Sequence, residues 1–336
     1  MTFARVLTLV VAAIAVVSVV AHPALSEPEM VQYQQDVKRT TEAIGRCLEI
    51  NQDLAARGLD QRDAALRHVR KARGINVDAD LIARNTKPNK AAFLKWEGVD
   101  HEHHSGQSQD PQDLYDFRWG DTPKRKPSGC STAAESIYGP YWADGQPRRQ
   151  DIIEGNDGIY MRLALQVIDV NTCLPMQNAR VDAWQANAHG NYDPKVTGFL
   201  RGWQPSSYQG TVDFDSIFPG HYGGRATHIH VVVRPDQQRH VAHVGMLYFD
   251  QQLRDAVETL APYKDNDQSL VSNKDDAFAP DSASNNYDPF MQWAWLGDNK
   301  DDGLLAWTVI GVNNSDASVW QPSRKRSLFD EHIRQD

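Results

Sequence analysis

The run from Pro219 to Val231 reads Pro-Gly-His-Tyr-Gly-Gly-Arg-Ala-Thr-His-Ile-His-Val, with a tyrosine at 222, an arginine at 225 and histidines at 228 and 230. Side chains two apart on a strand project from one face. If Ile229 and the valines after it make this a strand, His228 and His230 point together into one small volume. Pro219-Gly220 is a turn signal that places Tyr222 at the mouth of that strand. Imidazole suits zinc, copper, iron and nickel, whereas a phenolate favours a strongly Lewis-acidic ion such as Fe(III). The chemistry these residue types offer is metal binding.

The elements that must position them are legible as a change of period. From residue 138 onward the period is two: Met161, Leu163, Leu165 and Val167 alternate with Arg162, Ala164 and Gln166. Val181 and Ala183, the His-x-His segment, Val244 to Phe249, and Leu305, Trp307 and Val309 continue it. Short alternating segments separated by Gly, Pro, Asn and Asp predict a β-sandwich. Upstream, Val37, Ile44, Leu48 and Leu54 recur at helical intervals, and Asp60 can cap a second helix that stops at Gly74. Its basic side, with Arg62, Arg67, His68, Arg70, Lys71 and Arg73, reads as a solvated face.

The expected fold class is therefore mainly β, a sandwich core preceded by an α-helical segment. The expected boundaries are a helical segment at 28–75, a polar linker or arm at 76–129, the sandwich at 130–320 and a polar tail at 321–336. His101-Glu102-His103-His104 lies in the arm, where adjacent histidines are expected to be solvated.

Arg5 precedes an uncharged, largely apolar run from Val6 to Ala21, which has the length of a signal peptide's apolar region. Residues 1–21 are expected to be removed, with cleavage as late as 26, leaving a secreted, extracellular chain with no membrane attachment; an uncleaved membrane anchor is the alternative reading. Secretion permits disulfides. Of Cys47, Cys130 and Cys173, the preferred pair is Cys130 with Cys173, since both flank strand-like sequence. The net charge of −9 argues against nucleic acid as a partner. The chain has no Walker loop, GxGxxG, GxSxG or HExxH.

Several segments occur in a telling order: Gly139-Pro140-Tyr141-Trp142, then Asp169 to Pro175, Val181-Asp182-Ala183-Trp184-Gln185 through Gly190-Asn191-Tyr192, Phe199 to Gln204, and the His-x-His run. Over about residues 125 to 315 this ordered set resembles the intradiol ring-cleavage dioxygenases, especially their secreted fungal-type branch. The resemblance implies a non-haem Fe(3+) held by Tyr192, Tyr222, His228 and His230. It implies a catechol-type substrate cleaved with O2, between the two hydroxyl-bearing carbons, to a muconate-type diacid. Tyr222 would yield its place to the substrate and take up a catechol proton, and Arg225 would stabilise charge developing on the ring. Tyr141 and Trp142 match a pocket-lining segment, though core aromatics are an equal reading. A homodimer through the N-terminal helices is a further expectation.

Two positions depart from the pattern. Met246, in Gly245-Met246-Leu247-Tyr248-Phe249, stands where the secreted branch has glutamine in Gly-Gln-Leu-Phe-Phe, and a thioether cannot donate a hydrogen bond. Gln185 stands where the family usually has histidine. Two other readings stay open: a non-catalytic secreted sandwich that binds phenolics or carbohydrate, and a Zn or Cu site using His228 and His230 with the tyrosines incidental.

Overall fold

The computed structural model describes residues 69–74, 91–102, 139–235, 241–283 and 288–314. Within them the alternating segments become β1 (Tyr160–Asp169), β2 (Leu174–Pro175), β3 (Arg180–Trp184), β4 (Arg201–Pro205), β5 (Thr211–Ile217), β6 (His228–Arg234), β7 (His243–Tyr248), β8 (Gln292–Trp295) and β9 (Leu304–Val312). One sheet runs β2-β1-β9-β8, with β5 also paired to β1; the other runs β4-β3-β6-β7. All pairings are antiparallel except β1 with β9, which run parallel from Met161 opposite Leu304 to Asp169 opposite Val312.

The period of two sorts side chains between faces, as expected for a sandwich. Met161, Leu163, Leu165 and Val167 of β1 and Leu304, Ala306 and Ile310 of β9 meet Val181 and Ala183 of β3 and Ile229, Val231 and Val233 of β6 in one core. Each such fully buried aliphatic side chain contributes about 1.5–3 kcal/mol.

Both outer faces are covered. On the first sheet, Val69 packs against Ala164, Leu305 and Trp307. Residues 69–73 are helical, and Gly74 ends the turn at φ +67°, a conformation glycine adopts freely. The basic side of this segment is not simply solvated. Arg70 donates to the carbonyls of Leu296 (2.9 Å) and Trp295 (3.2 Å), and the Arg73 guanidinium lies 4.1 Å from the centre of the Tyr160 ring. These two arginines dock the helix end on the sheet.

On the second sheet, a short helix α1 (Ala91–Glu97) presents Phe93 and Trp96 to Met246, Tyr248, Phe278 and Phe290. The chain then leads to His101, which is fully buried, contrary to a solvated loop histidine. Its Nε2 lies 2.9 Å from Asp288 and its Nδ1 3.4 Å from Asp250. Asp250 also caps helix α2 (Gln251–Glu258) by accepting from the Leu253 amide (2.7 Å), and accepts from the Trp293 indole (2.8 Å). The His101 carbonyl accepts from the Trp293 amide (3.1 Å).

Cys173 is disulfide-bonded. Cys47 and Cys130, residues 1–68, the histidines at 103 and 104 and the tail at 321–336 lie outside the described residues, as does most of the segment on which a homodimer was expected to rest. Among the described residues no helix is long and apolar enough to cross a membrane.

Burial alone would push the His101 pKa down, but its pairing with Asp288 and Asp250 outweighs that and raises it to about 10. The folded protein thus holds this proton more tightly than the unfolded chain, whose histidine titrates near 6.5. The stabilisation is full below that value and is lost as pH rises through about 10. His101→Gln is expected to cost about 3–5 kcal/mol at pH 6, the usual scale for breaking a buried pair. Its stability curve between pH 6.5 and 10 should be flatter than the parent's, measured by urea unfolding across that range.

Candidate metal centre

Strand β6 carries the core on one face and chemistry on the other. Ile229, Val231 and Val233 point inward, so His228 and His230 share the outer face. Their Nε2 atoms are 3.1 Å apart. The Nδ1–H of His228 donates to the Ala226 carbonyl at 2.7 Å, which leaves the Nε2 lone pair directed away from the strand. The His230 ring stacks on Trp184, its cross-strand partner on β3, at 4.7 Å and 5°.

The tyrosines arrive on two loops that cross closely. A Cβ at Gly220 would sit 2.3 Å from the Ala188 carbonyl oxygen, and one at Gly190, where φ is +73°, would sit 2.0 Å from that of His221. The two glycines let the 187–192 loop and the 219–222 segment touch backbone to backbone. The Gly220 amide donates to the Asn187 carbonyl (3.1 Å), and the Asn187 side chain accepts from the amides of His189 (3.1 Å) and Asn191 (2.9 Å). The Tyr192 and Tyr222 rings consequently meet edge to face at 5.3 Å. Tyr222 Oη lies 3.3 Å from His228 Nε2. The Tyr192 hydroxyl is buried and has no hydrogen-bond partner among the described residues.

All four expected ligands therefore lie together. Tyr141 stacks on Tyr192 (4.2 Å, 7°) and meets Tyr222 edge-on (6.2 Å), so it lines the site. Trp142 lies farther back, against Trp184 (4.8 Å) and under the Arg234 guanidinium (5.1 Å). Gln185 is not at the centre. It is buried, donates to the Ile217 carbonyl (2.8 Å) and accepts from the Ser216 hydroxyl (3.0 Å), tying the ends of β3 and β5.

Arg225 is buried and held by Asp276, with Nε at 2.8 Å and Nη2 at 3.3 Å from the carboxylate. Its Nη2 also donates to Tyr248 Oη and Met246 Sδ, both at 3.1 Å, while Nη1 has no partner among the described residues. Asp276 accepts further from the amides of Ala226 (2.7 Å), Phe278 (2.9 Å) and Ala279 (2.9 Å). Burial pushes its carboxyl up, but the Arg225 charge and these donors hold it below the ordinary value. Sequence reading missed Asp276. An aspartate ahead of two amides it can cap is a turn signal, but nothing local to it points to an arginine on another segment.

Burial drives the pKa of Tyr192 well above its ordinary value, with the neighbouring Tyr222 adding to the rise. Burial also raises Tyr222, and the Arg225 charge opposes that rise. His230 is pushed well down by burial and by the charges of Arg225 and Arg201. Without a bound cation these surroundings favour two neutral phenols beside a neutral His230. Imidazole lone pairs and buried phenols together suit a cation strong enough to displace phenolic protons. Among the described residues no group of three or more His, Cys, Asp or Glu could hold a metal. Zinc centres draw on Cys, His, Asp and Glu, so this donor set, half of it phenolic, fits a harder and more Lewis-acidic ion better.

The fold is similar to solved intradiol dioxygenases. An intradiol ring-cleavage dioxygenase from Tetranychus urticae matches at 29% identity and a TM-score of 0.48, over 55% of this chain and 95% of that one. The dioxygenase domain of a dioxygenase–carbohydrate-binding protein fusion from Streptomyces sp. SirexAA-E matches at 24% identity and a TM-score of 0.40, over 55% and 99%. Catechol 1,2-dioxygenase from Pseudomonas arvilla C-1 matches at 20% identity and a TM-score of 0.41, over 56% and 65%. No family model and no curated protein matches the chain.

If the four side chains form one centre, each removal should empty it. His228→Ala and Tyr192→Phe are both expected to lower bound metal per chain by more than about tenfold, the least that loss of a ligand should cost. Gln185→Leu should leave bound metal intact. Elemental analysis of the three purified variants checks this.

Proposed function

We propose that the protein is a secreted non-haem Fe(III) intradiol dioxygenase that cleaves catechol-type aromatics with O2 to muconate-type diacids. One observation carries this reading: His228 Nε2 lies 3.1 Å from His230 Nε2 and 3.3 Å from Tyr222 Oη, and the Tyr222 ring meets that of Tyr192, whose buried hydroxyl has no hydrogen-bond partner among the described residues. A buried polar atom without a partner is costly, and a cation bound at the Tyr192 hydroxyl would remove that cost. The disulfide at Cys173 supports an oxidising compartment and hence secretion.

Bound at these four side chains, Fe(III) would draw the protons from the phenols and accept both oxygens of an aromatic diol as a dianion. The protein's own residues then have separate tasks. Tyr222, whose burial raises its pKa, is a strong base once deprotonated, so its Oη can take and keep a proton from the diol. Tyr192, stacked on Tyr141, is held in place. Arg225 offers Nη1, a buried donor with its partner still to come, to negative charge that develops on the ring or its oxygens. Its counter-ion Asp276 fixes the guanidinium by two bonds, so little reorganisation is needed. Trp184, Tyr141 and, from α1, Phe93 and Trp96 keep water from these groups, which strengthens each of the charge interactions.

The test is a visible spectrum of the purified protein, before and after anaerobic addition of catechol, followed by O2 uptake. A broad absorption band that shifts to longer wavelength with catechol, and one O2 consumed per diol, are the expected results. A colourless, metal-replete protein would overturn the reading in favour of zinc, and a coloured one that takes up no O2 would favour a non-catalytic binder. Arg225→Lys keeps a charge for Asp276 but loses the planar fork. It is expected to lower turnover by about 10²-fold, the scale for loss of one charge-stabilising donor, while the resting band remains.

A further inference from the structure

We propose that Tyr248 is the residue that donates a hydrogen bond from the protein to an oxygen of the bound aromatic diol, in place of position 246; this rests on the dioxygenase reading above. Met246 and Tyr248 lie two apart on β7, hence on one face, directly opposite His230 and His228 in the β6–β7 ladder. The face they share is the one that carries the histidines. Met246 is buried and offers only a thioether there. Tyr248 is also buried, with its ring 5.8 Å from that of His228. Phe93, Trp96, Phe278 and Phe290 surround it in an apolar cluster.

The bonds of its hydroxyl show how it can act. Tyr248 Oη accepts from Arg225 Nη2 at 3.1 Å and donates to Met246 Sδ at 3.3 Å. The first bond comes from a charged donor and polarises the O–H, making it a stronger donor in turn. The second goes to one of the weakest acceptors a protein has. A hydrogen bond donated to a thioether is readily redirected to an anionic oxygen, which accepts it far more strongly. The segment Gly245-Met246-Leu247-Tyr248-Phe249 therefore lacks an amide donor at 246 and has a hydroxyl donor at 248, on the same face of the same strand. Arg225 reaches both residues, so the thioether and the hydroxyl form one connected group on the face that carries the histidines.

The experiment compares the parent, Tyr248→Phe and the double variant Tyr248→Phe/Met246→Gln. Each is titrated anaerobically with 4-nitrocatechol, followed by absorbance, and assayed for O2 uptake with catechol. Tyr248→Phe removes only the hydroxyl. It is expected to keep the resting spectrum and bound metal, to bind the probe about tenfold more weakly, as for loss of a hydrogen bond to a charged group, and to turn over more slowly. The double variant is expected to recover most of the lost affinity, because the amide returns a donor to the same face; a merely structural tyrosine would not be rescued this way. Equal binding and turnover in the parent and Tyr248→Phe would overturn the assignment, as would a loss that Met246→Gln leaves unrepaired. If the parent itself shows no spectral response to the probe, the dioxygenase reading fails and the assignment falls with it; if the parent responds and Tyr248→Phe responds equally, the assignment alone fails.

Discussion

The register of β6 between β3 and β7 holds Trp184 opposite His230, His230 opposite Met246 and His228 opposite Tyr248. It is enforced from the other face, where Ile229, Val231 and Val233 are wholly buried in the sandwich core. A slip of one residue would bury both imidazoles among aliphatic side chains and turn the three apolar residues outward. The apolar packing of the strand's inner face thus sets the positions of two candidate ligands on its outer face. A site geometry held in this way does not depend on the weak forces of the site itself.

The site gathers groups that are expensive to bury. One charge pair, Arg225 with Asp276, is buried but fully matched on the acid side, where the carboxylate accepts from the guanidinium and from three amides. The surplus lies in Arg225 Nη1 and in the hydroxyl of Tyr192, neither of which has a hydrogen-bond partner among the described residues. Stability alone would favour an apolar replacement for such groups. Their retention in a dry pocket next to two imidazoles makes sense for a site completed by a cation and an anionic ligand, with the cation drawing on the phenols and the anion on the arginine.

Much of this was legible in the sequence, for reasons that can be named. His228 and His230 could be paired from spacing alone, because a strand has a period of two and the residues between and after them are β-branched. The sandwich followed from the same period repeated in β1, β3, β7 and β9. Tyr192 could be reached only by resemblance, since its approach to Tyr222 depends on two loops crossing at Gly190 and Gly220, a contact with no local periodicity. His101 was misread as solvated because its partners, Asp250 and Asp288, lie far along the chain. A histidine in a polar stretch looks solvated until the fold brings carboxylates around it. Asp276 escaped notice for the same reason, and the role of Tyr248 shows only when the donors and acceptors around Met246 are on view.

The arm and the centre are joined through β7. Its outer face carries Met246 and Tyr248 to the site, and the same two side chains receive Phe93 and Trp96 of α1. Just past the strand's end, Asp250 binds His101, caps α2 and accepts from Trp293. The Tyr248 carbonyl accepts from the Met291 amide at 2.9 Å, tying β7 to the segment that leads into β8. The short helix and the buried histidine after it are therefore parts of one closure. The helix excludes water from the outer face of the second sheet, and the ion pairs of His101 hold the chain that carries the helix. Loosening the arm would wet the Arg225–Tyr248–Met246 contact before it disturbed the sandwich core, which lies on the opposite face of the sheet. The site's low dielectric, and with it the strength of every charge interaction there, rests on a segment that contributes no ligand.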